Sequence, residues 1–301
     1  RLAGGTAWLW SREELAGSVD VLVIDEAGQF SLANALAVAQ AARRGVVLLG
    51  DPQQLAQPTK GTHPYGAGVS VLEHLLDGHE TVPDDRGVFL GTTYRMHPAI
   101  TGFVSELAYD GRLGSAAGCS RQVVDAPGGL SGQGVRWVPV PHQGNGSESV
   151  EEARVVGALV RDLLRGHWTD ADGRVRPVTP EDVLVVAPFN LHVLCLRQAV
   201  PEGVRVGTVD KFQGRQGAVV IYAMGSSSAL DAPRGVDFLY DVHRLNVAVS
   251  RARALAVVVG SPLLLEAPVR TPEQLRAVNA LCRFVDLAEE QTGDGDERAS
   301  A

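Results

Sequence analysis

Two acids stand side by side where an apolar run stops. In VLVIDEAGQFS, Val21 to Ser31, the run ends in Asp25 and Glu26, and nothing in a packed core requires adjacent carboxylates at that point. Polar residues also gather at Gly50-Asp51-Pro52-Gln53-Gln54, after VVLL, and at Gly207-Thr208-Val209-Asp210, after VRV. In open α/β sheets ligands bind outside the carboxyl ends of the strands, so these are places where a phosphate ligand would sit. Taken singly, each has a plainer explanation, because Asp and Gly end strands everywhere as turn formers.

The elements that must position these residues alternate in type. The run Val21 to Ile24 reads as a strand buried on both faces. In SLANALAVAQAARRG, Leu32, Leu36 and Ala39 share a helical face and Gly45 supplies the stop. VVLLGD is the next strand, which closes a βαβ unit and predicts a parallel sheet. Further strands are expected in DVLVVAP (182–188), VRVGTVD (204–210), AVVIYAMG (218–225) and LAVVVGSP (255–262), with helices at 149–166 and 241–253. A Gly-rich stretch from about Asp110 to Gln143 reads as a connection.

The 301 residues, 45% hydrophobic, suffice for one large or two ordinary domains. The chain starts at Arg1, with neither a leader pattern nor an apolar run long enough to span a bilayer, and is expected to be a piece of a longer protein. Cys119, Cys195 and Cys282 lack C-x-x-C spacing, which argues against zinc and disulfide frameworks and for ordinary thiols in a reducing, cytoplasmic setting. The net charge is −8, and more than half of it comes from Asp286, Glu289, Glu290, Asp294, Asp296 and Glu297 against Arg298. That acidic end reads as a solvated tail. The body is nearer neutrality, so charge neither supports nor excludes a nucleic-acid partner.

The motifs gain meaning together. VLVIDEAGQ resembles the Walker B motif of superfamily 1 helicases in its D-E-A-x-Q form. LLGDPQQL resembles their motif III, YRMHP (94–98) motif IV, VGTVDKFQGRQ (206–216) motif V and LNVAVSRAR (245–253) motif VI. The matches come in the family's order and cover nearly the whole chain. YRMHP and VDKFQG resemble the branch of the nonsense-decay RNA helicase and the replication nuclease-helicase, and GTAWLW with GDPQQLAQPTKGTHP is most similar to bacterial helicases fused to a RecB-like nuclease domain. The resemblance implies an α/β fold of two RecA-like P-loop NTPase lobes with parallel sheets, the first truncated. Residues 1–98 would close the first lobe, 99–288 hold the linker and second lobe, and 289–301 form the tail. It further implies ATP between the lobes, single-stranded DNA (or RNA) across their tops, and a DNA helicase moving 5′ to 3′. Two alternatives stay open: a nucleic-acid-stimulated NTPase that remodels complexes without unwinding, and a non-catalytic RecA-like binding module.

By the same resemblance, Asp25 binds Mg²⁺ and Glu26 orients and deprotonates the attacking water. Neighbouring residues at a strand end point in different directions, so two adjacent acids can do two jobs. Gln54, rather than Gln53, is placed to feel the γ-phosphate, and Gln29 to contact the nucleotide or motif partners. Arg95 and Arg251 would stabilise the transferring phosphoryl group, a role suited to a planar, permanently charged guanidinium. Arg253, two positions further along the expected helix, would point elsewhere. Thr208 and Asp210 would touch the nucleic-acid backbone, with Gln213 and Gly214 toward the nucleotide. Gln216 stands where relatives usually have Glu, and its amide oxygen can still accept from a ribose hydroxyl, with less strength. The family's G-x-x-x-x-G-K-[ST] loop has no match: Lys60 and Lys211 are the only lysines and neither follows a glycine. The loop is therefore expected upstream of Arg1, and the chain on its own is expected to be inactive.

Overall fold

The structure, a computed structural model, describes residues 2–55, 67–212 and 214–299. It divides into two compact units, residues 1–89 and 90–301. The division falls upstream of the expected boundary at 98, so Arg95 belongs to the second unit. Backbone pairing is the reason. Thr92 and Thr93 pair with Gly114 and Ser115, and the His97 N–H donates to the Arg253 carbonyl at 2.8 Å.

The first unit contains α1 (Ala7–Trp10), β1 (Val19–Ile24), α2 (Leu32–Ala39), β2 (Ala42–Leu48) and α3 (Val71–Leu76). β1 and β2 are parallel, with Ile24 opposite Leu48. The Ser31 hydroxyl accepts from the Asn34 N–H and starts α2. That start sets the phase of the helix, so Ala35 and Val38 turn toward Leu22 and Ile24 while Leu36, one position on, is 69% exposed. Of the expected face Leu32, Leu36 and Ala39, Leu32 packs against this cluster, whereas Leu36 does not. Gly45 does not stop the helix either; it lies inside β2, opposite Val21.

Leu22 and Ile24 are buried, whereas Val21 and Val23 on the other face of β1 are about half exposed, as are Val47 and Leu49. Burial on both faces therefore holds for one face only. Exposed parallel strands of this composition invite pairing with other chains. The isolated chain is expected to self-associate at micromolar concentration, and a monomer by analytical ultracentrifugation would count against this.

The second unit runs β3 (Thr92–Thr93), α4 (Pro98–Ala108), β4 (Gly114–Ser115), β5 (Val123–Asp125), β6 (Gly134–Pro139), α5 (Val150–Leu163), β7 (His167–Thr169), β8 (Val175–Pro177), β9 (Val183–Ala187), α6 (Asn190–Ala199), β10 (Arg205–Thr208), β11 (Gly217–Ala223), α7 (Gly235–Leu239), α8 (Val242–Ser250), β12 (Ala252–Gly260) and α9 (Pro272–Ala299). A parallel five-stranded sheet has the order β10-β9-β11-β12-β6. Every residue of β9 and β11 is buried, as expected of central strands covered on both faces. A small antiparallel sheet, β5-β7-β8, stands beside it.

Three expectations change here. The stretch 110–143 is more than a connection, since it supplies β6, the edge of the main sheet. The helix expected over 241–253 ends at Ser250, and Arg253 lies in β12. The expected tail begins later than 289: α9 continues through that position, and the Gln291 side-chain oxygen accepts from the Val135 N–H at 2.9 Å. Among the described residues no helix is long and apolar enough to cross a membrane, and all three cysteines are free.

Candidate functional site

In the first unit the carboxyl end of β1 carries the acid pair. Asp25 and Glu26 are both exposed. Glu26 adopts the left-handed conformation (φ 54°, ψ 40°), which costs a non-glycine residue about 1–2 kcal/mol. Asp25 Oδ1 accepts from the Glu26 N–H at 3.0 Å, and Gln29 Nε2 donates to Glu26 Oε2 at 3.3 Å. The second polar strand end packs against this turn. A Cβ on Gly50 would lie 2.7 Å from the Ala27 nitrogen, and one on Gly28 would strike the Asp51 carbonyl, so glycine is required at both positions. Gln54 Nε2 donates to Asp51 Oδ2 at 3.0 Å, whereas Gln53 Nε2 donates to the Glu80 carbonyl at 2.8 Å. The Gln54 side chain thus stays on Asp51, and the Gln53 side chain goes to Glu80.

The donor set here is all oxygen, and no group of three or more His, Cys, Asp or Glu among the described residues could hold a metal ion. This fits Mg²⁺, which binds through one or two carboxylates, water and substrate phosphates rather than a protein cage.

Two separate groups form in the second unit, at opposite ends of its sheet. Register puts Thr208 level with Ala187, and Tyr222 level with Val186. Thr208 is therefore at the carboxyl end, whereas Gln216 immediately precedes the amino end of β11. Residues 209–216, the heart of motif V, cross from one end to the other.

At the amino end, Arg95, Gln216 and the chain around Arg251 meet. Arg95 Nε donates to Gln216 Oε1 at 3.2 Å and its Nη1 to the Ser250 carbonyl at 3.0 Å. The Gly217 N–H donates to the Arg251 carbonyl at 3.1 Å, and Arg251 itself is only 3% exposed. Burial, with the like charge of Arg253, pushes the Arg95 guanidinium below its ordinary range. The Arg253 guanidinium packs 5.2 Å from the Trp168 ring centroid, from where its charge still reaches Arg95.

At the carboxyl end, Thr208 is half-buried and Asp210 exposed. Arg244 Nη1 lies 3.4 Å from Asp210 Oδ2, and its Nε 3.8 Å from Asp241 Oδ2. Phe238 is flanked by Arg234 at 4.0 Å and Arg244 at 4.4 Å from its ring centroid. Beneath this face is a buried network. His142 Nε2 meets Glu152 Oε1 at 2.9 Å, His192 Nε2 meets Glu152 Oε2 at 3.2 Å, and the Gly225 N–H donates to Glu152 Oε2 at 2.9 Å. Burial opposes ionisation of Glu152, but the hydrogen bonds from His142 and His192 outweigh it and hold the carboxyl below the usual range.

Asp25, Glu26 and Gln29 thus share one turn, against which the Asp51 loop before Gln54 packs; Arg95 and Gln216 meet beside the backbone of Ser250 and Arg251, and Thr208 and Asp210 stand at the end of β10. Gly214 (φ 74°) sits in the crossing segment, and Gln213 lies outside the described residues. Sequence reasoning missed Gln122, Arg244 as partner of Asp210, and the Glu152 network. Only Arg244 had a signal, since it directly precedes motif VI and lies seven positions before Arg251.

Comparison with known proteins bears on the same segments. An AAA domain family matches residues 67–263, and a second AAA domain family matches residues 2–65. The Danio rerio protein mov-10-B.1 is 32% identical over 257 residues, covering 73% of this chain and 25% of that protein. The DNA polymerase alpha-associated DNA helicase A of Schizosaccharomyces pombe is 28% identical over 263 residues, 83% of this chain and 38% of that protein. The Arabidopsis thaliana DNA replication ATP-dependent helicase/nuclease JHS1 is 26% identical over 291 residues, 87% of this chain and 21% of that protein. Among solved structures, that of the PRRSV helicase gives a TM-score of 0.40 at 18% identity, covering 83% of this chain and 38% of that one. The chain spans well under half the length of each of these relatives. With motifs II to VI in order and an AAA domain over more than half its length, the chain belongs to the superfamily 1 helicases.

Proposed function

We propose that this chain serves an ATP-dependent helicase acting on single-stranded nucleic acid, DNA in the first instance, moving 5′ to 3′. The carrying observation is that Arg95 donates both to Gln216 and to the peptide carbonyl next to Arg251, joining three distant motifs in one cationic cluster. Hydrolysis needs a water aimed in line at the γ-phosphorus and charge neutralised on the departing oxygens. In this reading Glu26 accepts the proton of the attacking water, and Gln29 holds its carboxylate in place. Asp25 holds Mg²⁺, which neutralises phosphate charge when bound. Gln54 senses loss of the γ-phosphate. Arg95 and Arg251 stabilise charge that develops on the phosphoryl group. Thr208 and Asp210 meet the nucleic-acid backbone, which suits contacts that ignore sequence. Segment 209–216 then relays between nucleotide and strand, as lobe closure and reopening would require. The similarity of several motifs to nuclease-fused helicases further suggests a RecB-like nuclease domain in the same polypeptide.

The test is ATP-driven displacement of a labelled strand by the full-length protein, with 5′- and 3′-tailed duplexes and DNA and RNA substrates compared. ATP hydrolysis without displacement would favour the remodelling NTPase, and neither activity would sink the enzymatic reading. Glu26→Gln keeps shape but cannot take a proton. It is expected to lower kcat about a hundredfold or more, with ATP and Mg²⁺ binding nearly intact by calorimetry. Turnover near the unaltered rate would remove Glu26 as general base.

A further inference from the structure

Gln122 precedes β5 and belongs to none of the recognised motifs, yet its side chain is 1% exposed and joins two of them. Its Nε2 donates to the Arg95 carbonyl at 2.7 Å and to the Arg253 carbonyl at 3.2 Å. Both partners are acceptors, so the amide can face them only through its NH₂ group, and Oε1 is left buried without a partner. The amide thus spends its donors on the backbones of two motifs at the cost of one buried acceptor left unpaired.

The two carbonyls mark the segments that carry the arginines. The Arg253 carbonyl also accepts from the His97 N–H at 2.8 Å, and Arg95 reaches back to the Ser250 carbonyl. Residues 95–97 and 250–253 are thus laced together, with Gln122 as the one side chain among the described residues that bonds the backbones of both. Sub-ångström placement of the arginine relative to the phosphoryl group governs its effect in the transition state.

We propose that Gln122 is a positioning residue for ATP hydrolysis: its amide clamps the Arg95 and Arg253 backbones and so fixes the Arg95 guanidinium against Gln216 and the Ser250 carbonyl. The proposal rests on the helicase reading above. It predicts a loss confined to the chemical step, because Arg95 acts on charge that develops in the transition state and little on ground-state binding.

The experiment is steady-state ATP hydrolysis by the full-length protein with saturating single-stranded DNA. Gln122→Met keeps length and volume and removes both donors. It should lower kcat about tenfold or more with KM for ATP within about twofold. In an Arg95→Ala background it should lower kcat no further, whereas in Glu26→Gln the loss should persist. Val124→Ala, a cavity on the adjoining strand, controls for fold loss and should leave kcat unchanged at a comparable fall in Tm. Gln122→Glu gives a second readout. Its carboxylate would face two carbonyls, and only its protonated form can donate, so its kcat relative to the unaltered protein should rise as pH falls. Unchanged kcat in Gln122→Met, a loss that adds fully to Arg95→Ala, or an equal kcat loss in Val124→Ala each overturns the proposal while leaving the helicase reading intact. If Gln122→Met does not fold, a flat pH ratio in Gln122→Glu overturns it. Absence of ATP hydrolysis by the unaltered protein overturns both.

Discussion

Replacing Arg251 with alanine is expected to slow ATP turnover about a thousandfold or more, roughly 4 kcal/mol in the barrier, while Arg253→Ala changes it only a few-fold. The two arginines are near neighbours in sequence but not in role. Arg251 caps α8, is buried, and follows the Ser250 carbonyl that Arg95 grips. Arg253 has passed into β12, and its guanidinium packs over Trp168, which also takes Arg176 at 4.7 Å. Alanine at 253 keeps the backbone carbonyl that receives His97 and Gln122, so the lacing of the arginine cluster survives. What is lost is a cation–π contact of about 0.5–2 kcal/mol, read as a lower Tm, together with the like charge that Arg95 feels. Single-turnover hydrolysis and thermal melts on both variants separate the outcomes. Equal kcat losses in two folded variants would end the distinction and the role given to Arg251.

The reason for separating the two arginines was only partly legible in the sequence. Arg253 was expected to point away because of its phase on a helix, whereas it belongs to a strand. The change of element inside SRAR leaves no trace in hydropathy, because the apolar run of β12 starts only at Ala254. It is fixed by a tertiary bond, the Gly217 N–H to the Arg251 carbonyl. Central strands were readable for the opposite reason: β9, β11 and most of β12 are buried on both faces, so their composition alone marks them. The edge strand β6 was not, because GVRWVP is half exposed, contains Arg136, and has one neighbour. Gln122 left no signal at all. Its partners are backbone carbonyls 27 and 131 positions away, and a carbonyl carries no residue identity for a sequence to display.

The motif residues gain a spatial order from the parallel sheet. Chain direction puts Thr208 and Asp210 at one end of it and Gln216 with Arg95 at the other. In the proposed reading the short crossing between them passes a displacement from nucleotide to strand, which requires both ends to be firmly seated. At the amino end the arginine cluster does this. At the carboxyl end the Glu152 network lies beneath the loops that follow β6, β9 and β11.

Glu152→Ala is accordingly expected to cost about 3–5 kcal/mol of folding stability, a large share of the roughly 5–15 kcal/mol typical of a domain. The donors around the carboxylate explain the size. Ser149 N–H donates to His192 Nδ1 at 3.3 Å, and Asn145 Nδ2 lies 3.1 Å from His142 Nδ1. Each Nδ1 is therefore an acceptor, and each Nε2 proton points at Glu152. With alanine, two imidazole donors and the Gly225 N–H lose their acceptor in a site closed to water, since His192 and Glu152 are both fully buried. The pH dependence follows from the depressed carboxyl of Glu152. Its stabilisation is complete above the unfolded carboxyl range, near pH 4.5, and is lost as pH falls through the lower folded value. Urea unfolding between pH 7 and pH 3 should therefore show a steeper acid loss in the unaltered protein than in Glu152→Gln. That amide has no charge to lose, and its NH₂ meets the histidine donors. Parallel acid profiles, or a loss below about 1 kcal/mol in Glu152→Ala, would mean that the carboxylate is neither charged nor needed in the folded chain.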